Sequence, residues 1–533
     1  MASCDWAMPA KDDACSTDAR LGQISKDTRK LILFKLFGRI VTFTLNTLLL
    51  RIISPEIFGI ATVKLEFFYY SVLYMSREGL RIALLQNYPK RGDKYWLKKV
   101  IHMSWLAIPC SLLPTIGLLF AFALTLPAAI MGLQRAFWLA IAGYMISVLI
   151  ELASEPFHMI CVYNEQLPKR MKAESIALTF RAAFVLSTFL LCRNIMNANL
   201  REGQSDIKLA LLIFPLGQLL SSIILFIGLY NVAKEFAPGL SITENIPISE
   251  IEVDEPIIQQ AIAMTSQIMF KYLLSQGDMW IVSLTGSSNQ QGIYSIVTTY
   301  GSIFLRIVVQ PLEDVAQPFF AQTKDNVALQ YLETILKFYQ ICSFLLIIGA
   351  TTILRPLIGV AFGKWWLDTQ MPTVFSFYCV QLCMMSISGI LEIFMNGKMQ
   401  RGWNRTNQVA TSMIAGLFFA ASLPLSKRFG LLGLILGSIV NYVLRAAFSL
   451  HCLKKNNLLP TKVSLRSTTY MMFFVCTICV YFIALFRAVP AVVYLALLTT
   501  FALMILHVER SFLARIYTGN SLSVDKDEQV KVD

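Results

Sequence analysis

Apolar residues in this chain gather into long runs separated by short polar stretches. A membrane-crossing helix needs about 20 predominantly apolar residues. Runs of that order occur at 31–50, 57–84, 100–124, 136–163, 173–192, 209–230, 257–284, 291–320, 328–354, 371–397, 406–425, 430–452, 467–486 and 489–508. Membrane strands would need only about 10 residues of alternating polarity, so run length predicts an all-α polytopic membrane protein with 14 transmembrane helices. The expected plan is a tail at 1–30, six helices over 31–230, a linker at 231–256 and six helices over 257–452. Two more helices over 467–508 and a tail at 509–533 complete it.

The linker "NVAKEFAPGLSITENIPISEIEVDEP" carries six acidic residues against one lysine. Short matches such as "FKLF" (34–37) with "FKYL" (270–273), and "FGI" (58–60) with "QGI" (291–293), are displaced by six spans. An even displacement makes any internal repeat parallel rather than inverted.

Composition agrees with the pattern. Of 533 residues, 56% are hydrophobic and 15% charged, where soluble domains carry about 25% charge. The net charge of +13 would suit nucleic acid on a soluble protein, but topology absorbs it. With residues 1–30 in the cytosol, 26 of the 46 Lys and Arg fall in cytosolic loops and tails, 10 in opposite loops and 10 within spans. That asymmetry predicts both termini in the cytosol and no nucleic-acid partner. The eleven cysteines are spread mostly through spans and the four histidines are scattered, so neither a disulfide framework nor a metal site is expected. No phosphate-binding loop and no nucleophile elbow occurs. The expectation is a carrier without cofactor, not an enzyme.

Charges inside spans are the candidate chemistry, because each costs about 2.5–3.5 kcal/mol on insertion scales and so faces a partner or a cavity. In "FFYYSVLYMSREGLRIALLQ", Arg77 and Arg81 share a helix face with Glu78 beside them. Two readings stay open there: snorkelling to an interface, or a cationic collar at the cytosolic mouth. Lys271 and Arg306 fall near mid-span, with Arg39 and Arg445 between these extremes. Acids accompany them at Glu66, Glu151, Glu155, Asp278, Glu313, Asp314 and Glu392. In "RIVVQPLEDVAQPFF", Pro311 frees the carbonyl of Ile307, and broken charged helices form the walls of transport paths.

The stretches "FGRIVTFTLNTLLLRIISPEIFGI", "SREGLRIALL", "ELASEPF", "KAESIAL", "QGIYSIVTTYGSIFLRIVVQPLED" and "GLLGLILGSIVNYVLRAAFSL" occur in this order along the chain. Together they resemble the eukaryotic Rft family, linked to translocation of dolichol-diphosphate oligosaccharides. The resemblance implies a fold like the multidrug/oligosaccharidyl-lipid/polysaccharide exporters, with two six-helix lobes around a central cavity and two extra helices. It also implies the endoplasmic reticulum membrane and a Man5GlcNAc2-PP-dolichol type of cargo, moved to the lumenal leaflet for N-glycosylation. Carried over by motif, Arg39, Arg51, Arg77, Arg81, Lys271, Arg306 and Arg445 would bind the substrate. Asn46, Glu78, Glu155, Glu174, Gln310, Glu313, Glu392 and Asn441 would support them. Gly79-Leu80 departs from the bulkier or more basic neighbours found in relatives. A non-transport membrane factor or scaffold in the same pathway stands as the alternative. A cation-coupled antiporter would want an acid-lined cavity instead.

Overall fold

The computed structural model describes residues 38, 40–86, 94–124, 134–164, 166–196, 204–236, 255–398, 401–456, 458, 460, 499–505 and 508. Among the described residues the secondary structure is entirely helical, and ten helices are long and apolar enough to cross a membrane. The reason is physical: hydrocarbon offers backbone groups no partners, so a lone spanning segment closes its hydrogen bonds within itself.

The contacts divide the chain into two compact units, Met1–Ile57 with Ala61–Tyr272, and Phe58–Ile60 with Leu273–Asp533. The first unit contains α1 (Ile40–Leu50), α2 (Pro55–Leu85), α3 (Lys99–Leu124), α4 (Gln134–Tyr163), α5 (Pro168–Cys192) and α6 (Ile207–Glu235). Most of α7 (Glu255–Ser275) also belongs to it. The second unit contains α8 (Gly277–Thr285), α9 (Ser288–Gln317), α10 (Asp325–Thr352), α11 (Met371–Lys398), α12 (Ala410–Phe429) and α13 (Leu431–Lys455).

Several helices run past the apolar runs that foreshadow them. Helix α6 continues to Glu235 because the Ala, Lys and Glu beyond its apolar stretch are good helix formers. The run 257–284 is two helices, with Gln276 between them. Of the last two runs, 467–486 lies outside the described residues. From 489–508 the described piece places Phe501 and Ile505 against Ile341 and Ile348 of α10.

Three interruptions shape the walls around charged residues. Helix α2 passes through a π segment, Ile60–Glu66, and α9 through another, Leu305–Val309. The second ends just before Pro311, where the missing N–H loosens the ladder. Helix α4 breaks at Ser154 and restarts at Glu155 with Pro156 in its first turn.

The apolar side chains sort by what surrounds them. On α3, Leu112, Leu113, Ile116, Phe120 and Leu124 are exposed at helical spacing, the face that meets lipid tails. Inside the first unit, Phe157, Ile160 and Leu229 form a buried cluster. In the second, Phe320, Tyr339 and Phe394 pack at the centre of a larger one.

Candidate functional site

In the first unit the two arginines of α2 meet the two carboxylates of α4. Arg77 Nη1 donates to Glu151 Oε1 at 2.7 Å and to Glu155 Oε1 at 3.2 Å. Arg81 holds Glu155 with two bonds, Nε to Oε2 at 2.8 Å and Nη2 to Oε1 at 2.7 Å. Its Nη1 also reaches Glu78 Oε1 at 3.0 Å. The match is a matter of spacing. Arg77 and Arg81 lie four residues apart on one helix, Glu151 and Glu155 four apart on the other, so one face presents two forks to two carboxylates. The break at Ser154 keeps both acids on that face, with the Ser154 amide donating to the Glu151 carbonyl at 3.1 Å.

The network extends inward. The Tyr69 hydroxyl donates to Glu151 Oε2 and lies 3.4 Å from Ser222 Oγ of α6. Beside it is a cavity of about 310 Å³ whose wall includes Arg77, Arg81, Glu155, His158, Glu174 and Gln218. Deeper along α2, Glu66 pairs with Arg181 of α5, whose Nη1 donates to the Tyr70 hydroxyl at 3.4 Å. Lys64 is buried with its ammonium 5.0 Å from the Phe122 ring centroid. Every arginine of this first-unit network is therefore engaged, and Arg77 and Arg81 form a lattice with Glu78, Glu151 and Glu155.

The second unit holds a larger cavity, about 560 Å³, between α9, α11 and α13. Seven residues singled out from sequence line it together: Arg306, Gln310, Glu313, Asp314, Glu392, Asn441 and Arg445. Arg445 Nη2 donates to Glu392 Oε2 at 2.6 Å. Glu313 lies over Gly389, where a Cβ would come 2.4 Å from its Oε1. Arg306, in the π segment of α9, is exposed and has no carboxylate partner among the described residues. The Asn441 Oδ1 and Arg445 Nε atoms are buried without hydrogen-bond partners.

Other sequence candidates are placed elsewhere. Asn46 is exposed on α1, and Arg51 is an exposed turn residue just after it. Arg39 and the side chain of Lys271 lie outside the described residues. Sequence reasoning passed over Glu151 as the partner of Arg77, and over Tyr69, His158, Arg170 and Gln218 as parts of the same cavity. The signal for Glu151 was present, in the equal spacing of the two pairs. Among the described residues no cluster of His, Cys, Asp and Glu could hold a metal ion.

The geometry can be set beside known proteins. The family model described as Rft protein (Rft-1) matches residues 23–518. The Man(5)GlcNAc(2)-PP-dolichol translocation protein RFT1 of Saccharomyces cerevisiae is 26% identical over 469 residues, covering 78% of this chain and 80% of that protein. Its counterpart in Xenopus tropicalis is 25% identical, covering 80% of this chain and 82% of the relative. Among solved structures, lipid II flippase MurJ in an inward closed conformation superposes with a TM-score of 0.61 at 12% identity. That match covers 91% of this chain and 99% of the flippase, and it shows a shared fold. The chain belongs to the Rft-1 family.

Proposed function

We propose that this protein translocates a dolichol-diphosphate-linked oligosaccharide of the Man5GlcNAc2-PP-dolichol type across the endoplasmic reticulum membrane, from cytosolic to lumenal leaflet. The relatives carry that activity in their names, and the fold is that of a lipid flippase. The observation that carries the reading is the second-unit cavity. Amide, hydroxyl and guanidinium groups converge there between helices otherwise suited to lipid, together with the carboxylates of Glu313, Asp314 and Glu392. Of these, Glu392 is paired with Arg445, while Arg306 has no carboxylate partner among the described residues.

A glycan head group crossing hydrocarbon unaided would strand its hydroxyls and diphosphate without partners. Arg306 and Arg445 supply charge-assisted donors for the linkage, while Gln310 and Asn441 supply neutral ones. In this reading the chain has fourteen spans in two six-helix lobes plus two further helices, both termini cytosolic, and works by alternating access. Arg39, Arg51 and Lys271 join the cation set. The polar tails and the linker do no chemistry, and no cofactor takes part.

One observation favours the scaffold reading: Arg77 and Arg81 are both paired with carboxylates, as in a purely structural lattice. The two readings part in a strain depleted of its own family member and rescued by variants of this chain. A transporter loses rescue when Arg306 or Arg445 becomes alanine and tolerates changes in the polar sequence segment 85–99. Loss confined to the segment variants contradicts transport.

A further inference from the structure

The first-unit cavity holds polar atoms that its ion pairs do not explain. His158 is 6% exposed and Gln218 is 4% exposed, and both line the cavity. Neither ring nitrogen of His158 has a hydrogen-bond partner among the described residues, nor does Gln218 Oε1, nor Arg77 Nε. Buried atoms of this kind are costly to leave unmatched.

The charge around them selects what could match them. The wall carries three guanidiniums, Arg77, Arg81 and Arg170, and three carboxylates, Glu151, Glu155 and Glu174. Each guanidinium is already held: Arg170 Nε donates to Glu174 Oε1 at 2.8 Å, and the other two are bound as described. An anion entering this formally neutral space would displace carboxylates and meet them as like charges. A cation would meet the guanidiniums. A hydroxyl both donates and accepts, so it can donate a hydrogen bond to Gln218 Oε1 or a carboxylate and accept one from an arginine. A neutral imidazole likewise offers one donor and one acceptor. At about 310 Å³ the space is at the lower end of ligand pockets, which run to about 1,000 Å³. Among the lining residues Leu178 and Tyr70 are exposed and the Glu174 side chain is 38% exposed, whereas that of Glu155 is 3% exposed. The mouth is therefore at Tyr70, Glu174 and Leu178 and the floor at Glu155 and His158.

We propose that this cavity is a subsite for a neutral, hydroxyl-rich sugar residue, distinct from the place that receives the diphosphate. The proposal rests on the translocation reading for its source of sugar. The glycan chemistry is the same whether it arrives on a lipid or released.

The test uses the full-length protein in lipid nanodiscs with three probes: a released mannose-rich oligosaccharide without phosphate, the same glycan on dolichol diphosphate, and dolichyl diphosphate alone. Wild type binds both glycan probes. His158→Phe and Gln218→Leu each weaken released-glycan binding about tenfold, the loss of one good hydrogen bond, and leave dolichyl diphosphate binding unchanged. Should a variant not fold, hydrogen exchange in wild type reads the same site, with protection at 154–158 and 218–222 on adding released glycan. Three results overturn the subsite: no binding of released glycan, unchanged glycan affinity in both folded variants, or a loss that falls on dolichyl diphosphate instead. Unchanged affinity would assign the unmatched atoms to water. If wild type binds released glycan yet fails to move the lipid-linked form across vesicles, the transport reading falls and the subsite stands.

Discussion

Arg81 grips Glu155 through two parallel hydrogen bonds of 2.8 and 2.7 Å, tying α2 to the second segment of α4. The Glu155 side chain is 3% exposed and that of Arg81 16%, so solvent screens the pair little. Removing one partner strands the other charge. Glu155→Leu is expected to cost about 3–5 kcal/mol, read as a fall in melting temperature of the purified protein. The double variant Arg81→Met with Glu155→Leu should recover most of that loss, because Arg77 keeps Glu151. A double variant as unstable as the single one would contradict this account of the lattice.

Gly79 sits where α2 meets α7. A Cβ there would come 2.1 Å from Thr265 Oγ1 and 2.7 Å from the Thr265 backbone nitrogen. Backbone cannot give way cheaply, so Gly79→Ala is expected to destabilise by about 1–3 kcal/mol. At Gly389 the obstacle is the far end of Glu313, a flexible side chain. Gly389→Ala should cost less in thermal unfolding while moving Glu313 within its cavity. Equal destabilisation at both positions would count against this ordering.

Arg306 and Arg445 line one cavity and should respond differently. Arg306→Ala removes no ion pair among the described residues and is expected to leave stability within about 0.5 kcal/mol. Glu392→Gln breaks the 2.6 Å pair with Arg445, and partial exposure of both groups limits the cost to about 1–2 kcal/mol. In the transport reading both changes slow translocation, Arg306→Ala by about tenfold or more. A stability loss at Arg306 equal to that at Glu392 would mean that Arg306 has a structural role.

Much of the fold was legible in the runs of apolar residues, because lipid forces each spanning segment to satisfy its own backbone. The ten candidate spans fall on ten of the runs, with ends shifted by a few residues in either direction. The second-unit cavity was half legible. Seven of its lining residues could be named from sequence, but their convergence depends on how α9, α11 and α13 pack. Pairing was hardest to see: Arg77 meets Glu151 across 74 residues, and Arg445 meets Glu392 across 53. The contacts of Arg81 with Glu78, three residues away, and of Arg170 with Glu174, four away, follow from helix periodicity alone. The π segment of α2 had no proline to announce it, unlike that of α9. His158 and Gln218 were silent for another reason. Lone polar residues in apolar helices gain meaning only when their empty neighbourhood is known.

Translocation itself can be measured with the purified protein in sealed vesicles that contain a labelled Man5GlcNAc2-PP-dolichol, using a lectin or a glycosidase that reaches only the outer leaflet. The account predicts that wild type exposes inner-leaflet lipid much faster than empty vesicles do, and that Arg306→Ala slows this about tenfold with normal folding. Exposure no faster than in empty vesicles, with the protein folded and correctly inserted, would contradict it.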